Sequence, residues 1–438
     1  VLSDQRTDFH TLPAMARQLS LAILVVAAST QALALRRASR DDQDGHSPMS
    51  LDQLHNYRFG DFVKEFGRTY AVGSAEYRSR EGLFDEHMRE VLEFRQGPQQ
   101  SWQKGVNGFM DFSETEKRKM LGYTGSRGRA GASDAAVTMA EHRKEQLPYR
   151  FLVEKPKSKL FGIIRDQGQC GSCWAQAAVT TLEGQLEATP DLVEEVERRR
   201  RASGNRSIPE VPSLSSQAIT SCTDNSRHCG GTGGCHGATA ELAYDMIMQR
   251  GGLPFAVEWP YASGTGAEPA CRGEVFATSL IGIQSYTILP SNKLDPLMQA
   301  LVTTGGPVAV SVDAGHWFLY SNGIYTDKKG QFELNHAVTL MGYQVPLSHS
   351  KGFWKVQNSW GRFWGEEGYI RLEMKTDEEQ HCGWDTVPLD GVACEGDPDK
   401  AWVCGTCGIL YDSVYPTGVH LKGPQSKEVT TKAKHAQP

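Results

Sequence analysis

One stretch of this 438-residue chain constrains its fold more than any other: residues 165–175 read Arg-Asp-Gln-Gly-Gln-Cys-Gly-Ser-Cys-Trp-Ala. The glycines predict a bent loop, and the apolar residues from Ala175 to Leu186 recur at helical spacing. Cys173 is therefore expected in the first turn of a helix, near the positive end of the helix dipole. That position favours thiolate over thiol, so Cys173 is a candidate nucleophile.

The composition is that of an ordinary soluble globular protein, with 22% charged and 39% hydrophobic residues. A formal net charge of −6 offers no basic surface for nucleic acid or for a membrane. Ten cysteines behind a secretion signal favour disulfides formed in an oxidising compartment. Because Cys173 must stay reduced to act as a nucleophile, the even count implies a second free thiol or a metal site.

Residues 15–34 have the parts of a secretory signal peptide: a basic start, an apolar core at 19–28, and Ala-Leu-Ala before the expected cleavage. The apolar run is too short for a comfortable membrane anchor, so no anchor is expected. Residues 1–14 precede the first plausible start and are of doubtful translation. The expected location is the secretory pathway, ending in a lysosome or vacuole or outside the cell.

A helical pattern covers residues 51–94, and Gly-x-Asn-x-Phe-x-Asp at 105–111 alternates like a short strand. Six residues at spacings of three or four fall on one face of one helix: Glu76, Arg80, Phe84, His87, Val91 and Arg95. Residues 122–136 are rich in Gly, Ser, Ala and Arg, which is typical of a protease-sensitive linker. Activation cleavage is expected within 123–146.

Two later runs offer partners for Cys173. His336 begins one β-rich run and Asn358 ends the next, with a polar loop between them. If the hairpin is centred near Leu347, the two side chains lie opposite each other with Cβ atoms about 5 Å apart. The amide of Asn358 would then reach the imidazole.

These residues suit amide hydrolysis, which needs a nucleophile, a base and donors for the developing oxyanion. Cys173 would attack as thiolate, paired with His336 as imidazolium, and Asn358 would hold the ring in the right tautomer. The Gln167 side chain and the Cys173 backbone N–H would form the oxyanion hole. Trp360 would shield the His336–Asn358 hydrogen bond from water.

The motifs resemble those of papain-like cysteine proteases, specifically the cathepsin L-like branch. The resemblance lies in Cys-Gly-Ser-Cys-Trp at 170–174 and in the order of the four site residues. It also includes the helix motif and the Gly-x-Asn-x-Phe-x-Asp motif of an inhibitory prodomain. The resemblance implies an α+β, papain-like two-domain fold, with a helical left domain and an antiparallel β-barrel-like right domain. A helical prodomain is implied over 51–122 and the peptidase domain over 147–421.

The resemblance also implies a cysteine endopeptidase, made as a zymogen, that needs no cofactor. Its partners would be protein and peptide substrates and, as an intramolecular inhibitor, its own prodomain. Two disulfides are implied, Cys170–Cys235 and Cys222–Cys271. The implied substrate-binding residues are Gly237, Ala238, Trp360 and Asn335, with Ala238 standing where the family usually has a second Gly.

Two segments exceed the family pattern. The insertion at 190–212 carries acidic and then basic residues along a helix, a solvated face or else a processing or docking site, and a glycosylation sequon at Asn205. The Cys-rich extension at 382–410 is expected to form local bridges among its four cysteines, with Cys404 and Cys407 as an alternative redox or metal pair. The polar tail at 422–438 is expected to be disordered.

Three other interpretations are weaker. His228, Cys229, Cys235 and His236 suit zinc by type, but their spacing matches no standard site, so no metal is expected. A thioredoxin-like redox pair at Cys170 and Cys173 predicts a βαβ context that the sequence does not show. A catalytically silent homologue, or a prodomain-type protease inhibitor or binding protein, requires a broken triad, and this one is complete.

Overall fold

The structure, a computed structural model, describes residues 49–122, 147–153, 163–202, 213–327, 331–377 and 381–422. The predicted signal peptide, the linker, Asn205 and nearly all of the polar tail lie outside these ranges. Among the helices of the described ranges, none combines the length and apolar character that a membrane span requires.

The described ranges contain nine α-helices: α1 Leu51–Asn56, α2 Phe59–Glu65, α3 Ala75–Gln96, α4 Glu114–Met120, α5 Cys173–Glu187, α6 Pro190–Ala202, α7 Ser216–Cys222, α8 Ala240–Arg250 and α9 Leu294–Thr304. Their strands are β1 Trp102–Lys104, β2 Arg150–Leu152, β3 Ile281–Gly282, β4 Ser285–Ile288, β5 Val308–Val312, β6 Tyr320–Tyr325, β7 His336–Gln344, β8 Phe353–Gln357, β9 Tyr369–Glu373, β10 Cys382–Asp385, β11 Ala401–Cys404, β12 Ser413–Thr417 and β13 His420–Leu421. Short 3₁₀ helices span Ser263–Thr265, Gly273–Thr278, Pro388–Asp390 and Thr406–Gly408.

The N-terminal unit, residues 49–122, is helical and has its own small apolar core. Helix α3 buries Phe84, His87 and Val91 on one face, as their spacing predicts. The helical pattern over 51–94 is divided into three helices rather than one. Gly67 and Gly73, both at positive φ, lie in the break between α2 and α3, a backbone conformation that glycine adopts without strain.

The strand predicted at 105–111 is wrong, because β1 ends at Lys104 and turns follow it. The Asn107 side chain accepts a hydrogen bond from the backbone N–H of Phe109 at 3.0 Å and donates to the carbonyl of Phe318 at 2.8 Å. A short polar side chain that bonds nearby backbone in this way competes with a strand ladder. The motif therefore fastens the N-terminal unit to the rest of the chain.

Helices α5, α7 and α8 pack around a buried cluster that includes Trp174, Leu182, Ile219 and Tyr244. The following helix, α6, covers the predicted charged run and packs Leu192 against this core. In α6, Glu195 accepts hydrogen bonds from Arg198 and Arg199 one turn later. Such exposed pairs contribute little to stability, which agrees with a solvated helix face.

The central sheet has nine strands in the order β1-β6-β9-β8-β7-β5-β12-β4, with β2 pairing β7 at the side. The pairing of β6 with β9 is parallel, and the sheet is not closed into a barrel. Strand β1, from the N-terminal unit, is an edge of this sheet beside β6. The main apolar core lies against the sheet and takes in Trp102, Phe109 and Met120 from that unit.

The Cys-rich region is an insertion within the fold rather than a terminal extension. Strands β10 and β11 form a separate two-stranded sheet, and the chain then returns as β12 between β5 and β4 of the central sheet. Strand β13 finally pairs with β3. The last part of the chain thus completes the fold after a long excursion.

Four disulfides connect these parts: Cys170–Cys235, Cys222–Cys271, Cys229–Cys394 and Cys382–Cys404. The first two are the pairs that the resemblance implies, and the last is a local bridge of the expected kind. The prediction that the cysteines of 382–410 form only local bridges is wrong for Cys394, whose partner is 165 residues away. Because Cys404 is bridged, it forms no redox or metal pair with Cys407, which is free and buried.

Candidate active site

Helix α5 begins at Cys173, so the thiol occupies the first helical position, as predicted. The loop before it is fixed by the disulfide of Cys170 and by a hydrogen bond of 2.7 Å between the hydroxyls of Ser172 and Tyr261. Cys173 is 4% exposed and its thiol is free. The fold therefore presents one reduced sulfur at a rigid helix start.

His336 is the first residue of β7 and is buried. Its Nε2 lies 2.8 Å from Oδ1 of Asn358, an oxygen that only accepts hydrogen bonds, so the proton of the neutral ring is on Nε2. Nδ1 is then a lone-pair nitrogen, and it is buried without a partner. The backbone amide of Ala337, the next residue, donates to the Cys173 sulfur. The thiol therefore lies beside the start of β7, with no hydrogen bond between Nδ1 of His336 and the sulfur in this form.

The hairpin of β7 and β8 brings Asn358 to His336, although its register differs from the predicted one. The last ladder pair is Thr339 with Gln357, after an irregularity between Leu340 and Gly342. Continued, this ladder puts Asn358 opposite position 338 rather than opposite His336. The contact still forms because Asn358 lies just past the end of β8, where the backbone N–H of Ser359 donates to Oδ1 of Asn358 at 2.7 Å and orients the amide.

Trp360 lies beside this pair. Its ring centroid is 4.9 Å from that of His336, and its other neighbour, Phe318, stacks on it at 4.5 Å with an interplanar angle of 10°. Trp360 is 4% exposed. An aromatic wall therefore separates the His336–Asn358 hydrogen bond from solvent.

Gln167 is fully buried, and its amide orientation is fixed at both ends. Its Oε1 accepts from the Ser359 hydroxyl at 2.6 Å, and its Nε2 donates to the carbonyls of Cys170 at 2.9 Å and Met120 at 2.7 Å. The Met120 carbonyl belongs to the N-terminal unit. A donor of the predicted oxyanion site is thus occupied by a backbone carbonyl of the same chain.

The same segment covers the thiol. A β-carbon placed on Gly122 would lie 3.8 Å from the Cys173 sulfur, 3.6 Å from the Gly171 carbonyl oxygen and 3.5 Å from the Gly237 Cα. Residues 120–122 therefore run as a peptide through the cleft between Gln167 and Gly237. In this form of the protein no other peptide has room there.

Residues 120–122 change the electrostatic surroundings of Cys173 and His336. Burial raises the pKa of the Cys173 thiol to about 11, against the opposing hydrogen bond from Ala337. Burial also lowers the pKa of His336 to about 4, against the hydrogen bond to Asn358. Low-dielectric surroundings in the covered cleft thus favour the neutral forms of both groups over a thiolate–imidazolium pair.

The other predicted site residues lie on the walls of the cleft. Gly237 has a φ of 85° and touches Gly122 and Gly230, where a side chain has no space. The Ala238 side chain belongs to the helical core and the residue is 6% exposed. Asn335 holds the loop at 313–314, where its Oδ1 accepts from the Ala314 amide at 3.0 Å.

The zinc alternative finds no support, since Cys229 and Cys235 are in disulfides. Within the described ranges, no three His, Cys, Asp or Glu side chains come together in a way that would hold a metal ion. Sequence reasoning missed Ser359, Met120 and the Cys229–Cys394 bridge. Ser359 follows Asn358 directly, but the other two depend on contacts between distant segments and carry no local signal.

Comparisons with known proteins agree with this geometry. A family model described as papain family cysteine protease matches residues 147–391. The chain is 29% identical to procathepsin L of Mus musculus over 350 residues, 77% of this chain and 92% of that protein. It is 30% identical to a cathepsin L-like protein of Caenorhabditis elegans over 288 residues, 65% of this chain and 75% of that protein.

Solved structures of precursors are similar throughout. A recombinant stem bromelain precursor superposes with a TM-score of 0.60 at 26% identity, covering 83% of this chain and 98% of its own. A digestive procathepsin L 3 from Tenebrio molitor larval midgut gives 0.59 at 24% identity, covering 84% of this chain and 100% of its own, which shows the shared fold. The likeness includes the N-terminal unit as well as the two halves that carry the cleft.

Proposed function

The chain belongs to the papain family of cysteine proteases, and we propose that it is made as an inactive precursor that hydrolyses peptide bonds with Cys173, His336, Asn358 and Gln167 once residues 120–122 leave the cleft. Residues 51–122 act as the inhibitory prodomain of this cathepsin L-like peptidase. Activation cuts the chain within 123–146. The substrates are proteins and peptides.

The observation that carries the proposal is the peptide already lying in the site. The Met120 carbonyl accepts from Gln167, and Gly122 lies against the Cys173 sulfur. A backbone carbonyl at this amide is what an oxyanion site must bind, and the neighbouring sulfur is what must attack it. The cleft therefore suits a peptide backbone in particular.

Once the cover has left, the chemistry proceeds in two balanced steps. The Cys173 thiol gives its proton to Nδ1 of His336, and the sulfur bonds to the carbonyl carbon while the carbonyl oxygen takes the negative charge near the Gln167 amide and the Cys173 backbone N–H. His336 then gives its proton to the nitrogen as the C–N bond breaks, which leaves a thioester. Water attacks the thioester, His336 takes its proton, and the acid product and the thiol are released.

The orienting residues account for the direction of proton transfer. Asn358 keeps one proton of His336 on Nε2, so Nδ1 is the nitrogen that accepts and donates the transferred proton. Trp360 keeps water from that hydrogen bond. Four disulfides support folding in the secretory pathway, from which the enzyme goes to a lysosome or vacuole or leaves the cell.

The test starts from the purified precursor incubated at about pH 5. The expected result is loss of the prodomain and the appearance of peptidase activity that a thiol-alkylating epoxide blocks, with the label on Cys173 by mass spectrometry. Cys173→Ala should abolish both changes. Cys407→Ala is the matched control, because Cys407 is the other free, buried cysteine of the described ranges, and it should stay active. Activity that survives in Cys173→Ala would contradict the proposal, and an inert wild type would favour the silent homologue.

A further inference from the structure

The insertion between β10 and β11 contains a segment that crosses the substrate cleft. We call residues 387–394 the strap. It includes the 3₁₀ helix Pro388–Asp390, and its base is closed by the β10–β11 ladder and the Cys382–Cys404 bridge. The family model matches as far as Gly391, in the middle of the strap.

One end of the strap is fastened to the helical half of the molecule. Cys394 is bridged to Cys229, and the backbone N–H of Gly230 donates to the Ala393 carbonyl at 2.9 Å. The backbone N–H of Glu395 donates to the Arg227 carbonyl at 3.1 Å. These three bonds join consecutive residues, 393–395, to residues within 227–230, so this end is firmly held.

The other end is fastened to the sheet half, two residues before His336. The Asp385 carboxylate accepts from the Leu334 backbone N–H at 3.1 Å. Gly391 packs so closely that a β-carbon there would lie 1.8 Å from the Leu334 carbonyl oxygen and 3.2 Å from the Asn335 nitrogen. Gly391 therefore permits a contact that no other residue allows. The strap joins both walls of the cleft.

The strap lies next to the peptide that fills the site. A β-carbon on Gly237 would lie 2.5 Å from the Gly122 carbonyl oxygen and 2.2 Å from that of Gly230. A β-carbon on Gly230 would lie 2.5 Å from the Gly391 carbonyl oxygen and 3.2 Å from that of Ala238. Since an extended residue spans about 3.5 Å, the room between the position of Gly122 and the strap holds on the order of one or two residues. A longer substrate meets a covalently anchored barrier.

The charge of the barrier indicates which end of a peptide it accepts. The strap itself carries one acidic residue, Asp390, and residues 385–399 as a whole contain five acidic residues and no Lys, Arg or His. Asp390 lies close to Glu333, and burial together with that neighbour raises the pKa of Asp390 to about 6. A cation nearby would relieve this repulsion, whereas a terminal carboxylate would add to it.

A cavity beneath the strap is also lined by more acidic than basic side chains. It measures about 560 Å³ and is lined by Pro388 and Val392 of the strap. Four carboxylates line it against two cations: Glu241, Asp245, Asp397 and Asp412 with Arg227 and Lys400. Burial raises the pKa of Glu241 to about 8 and also raises the pKa of Asp245 and of Asp412, so a positively charged group in this space would favour their ionised forms.

We propose that the strap makes this peptidase prefer substrates whose free amino terminus lies one or two residues before the scissile bond, with the ammonium group held against the acidic strap. The proposal rests on the proposed function and adds its substrate class. A protein chain cut at an internal site must displace the strap first. Release of single residues or dipeptides from amino termini is the favoured reaction.

The test uses the activated enzyme with its strap intact and two matched dipeptidyl fluorogenic amides, one with a free amino group and one N-acetylated. The expected kcat/KM is at least tenfold higher for the free amine. Equal rates, or faster cleavage of the acetylated or a longer peptide, would overturn the inference but leave the proposed function standing. No cleavage of any peptide together with no labelling of Cys173 would instead overturn the proposed function.

Two variants address the strap directly. The double variant Cys229→Ser/Cys394→Ser frees one end, and the ratio of free to acetylated substrate should fall at least threefold because longer peptides now enter. The control is Cys222→Ser/Cys271→Ser, which removes a bridge that does not touch the strap and should keep the wild-type ratio. The same fall in both double variants would point to general loosening and contradict the role of the strap.

Recognition of the substrate's ammonium group is tested by Asp390→Asn, which keeps the size of the side chain and removes its charge. We expect KM for the free-amine substrate to rise about fivefold, with kcat and the rate on the acetylated substrate unchanged. Asp399→Asn, on an exposed acidic residue past Cys394, is the control and should match wild type. An unchanged KM in Asp390→Asn would remove this residue from amine recognition.

Discussion

The charge state of Cys173 and His336 depends on whether peptide covers them. In the precursor the thiol is surrounded by protein on all sides, with residues 120–122 in the cleft, and both members of the pair are neutral at pH 7. Nothing in the helix start itself explains this, because the dipole favours the thiolate. Desolvation outweighs the dipole. Removal of the prodomain should therefore switch on the nucleophile by restoring water and room for charge.

This switch predicts two pH profiles for alkylation of Cys173 by iodoacetamide, measured by mass spectrometry of the intact chain. In the precursor the rate should rise steadily from pH 7 to pH 10, because only roughly 10⁻⁴ of the thiol is ionised at pH 7 when its pKa is about 11. In the activated enzyme the rate at pH 7 should be at least tenfold higher and should depend weakly on pH from 6 to 8.

Cys407 supplies an internal standard for that experiment. It is free and buried, and burial raises its pKa well above the ordinary value, with Asp327 and Asp313 adding to the effect. It is not part of the cleft and should stay unlabelled in both forms. Equal labelling rates of Cys173 before and after activation would show that the prodomain does not control its ionisation.

At the level of elements, the prodomain is held together by an ion pair between helices α3 and α4. Arg80 makes a two-pronged contact with Glu116 at 2.6 and 2.7 Å and also donates to the Asp111 carbonyl. Burial of Glu116 opposes its ionisation, but the hydrogen bonds from Arg80 and Ser113 outweigh it and lower the pKa to about 2. The stabilisation from this pair is thus present above about pH 4.5 and lost as the pH falls toward 2.

Arg80→Ala in a Cys173→Ala background should reduce the free energy of unfolding of the precursor by about 1 to 3 kcal/mol at pH 7, since it strands a partly buried carboxylate. The difference from the parent should shrink between pH 4.5 and pH 2 in urea titrations. Arg89→Ala, an exposed arginine on the same helix, is the control and should cost less than about 0.5 kcal/mol. A loss that did not depend on pH would exclude the ion pair as its source.

The sequence predicts well those elements whose information is local. The Cys173 helix start follows from glycines and a periodic apolar run, and His336 and Asn358 follow from two β-rich runs. The hairpin register was predicted less well, because the irregularity after Leu340 moves the ladder without leaving a trace in residue type. The bridge from Cys229 to Cys394 was not predictable, since it depends on where 165 residues of chain bring two distant loops.

At the scale of the whole molecule, the prodomain is built into the core of the enzyme. Trp102 in β1 is 5% exposed and its ring lies 4.6 Å from Tyr325 and 4.5 Å from Phe94. Strand β1 itself continues the central sheet beside β6. The prodomain and the peptidase therefore share both a strand ladder and an apolar cluster. We expect the precursor to be more stable against unfolding than the processed enzyme.

Trp102→Ala, again in a Cys173→Ala background, should lower the free energy of unfolding of the precursor by about 3 to 5 kcal/mol, because loss of the large ring leaves a cavity at the interface. Differential scanning calorimetry should show an early transition for the prodomain before the peptidase unfolds. Trp384→Ala removes a half-exposed tryptophan from β10 and should leave the trace near that of the parent. One unshifted transition in Trp102→Ala would mean that this contact does not couple the two units.

The arrangement of the four disulfides has a consequence for how the chain tolerates being cut. Their loops overlap without a gap from Cys170 to Cys404, so any single backbone break in that span leaves both pieces joined by covalent bonds. No cysteine precedes Cys170 in the sequence, so one break within 123–146 leaves residues 49–122 held to the rest of the chain by noncovalent contacts alone. One cut within 123–146 thus removes the covalent link to the inhibitor, whereas one cut in the catalytic body releases no piece of it.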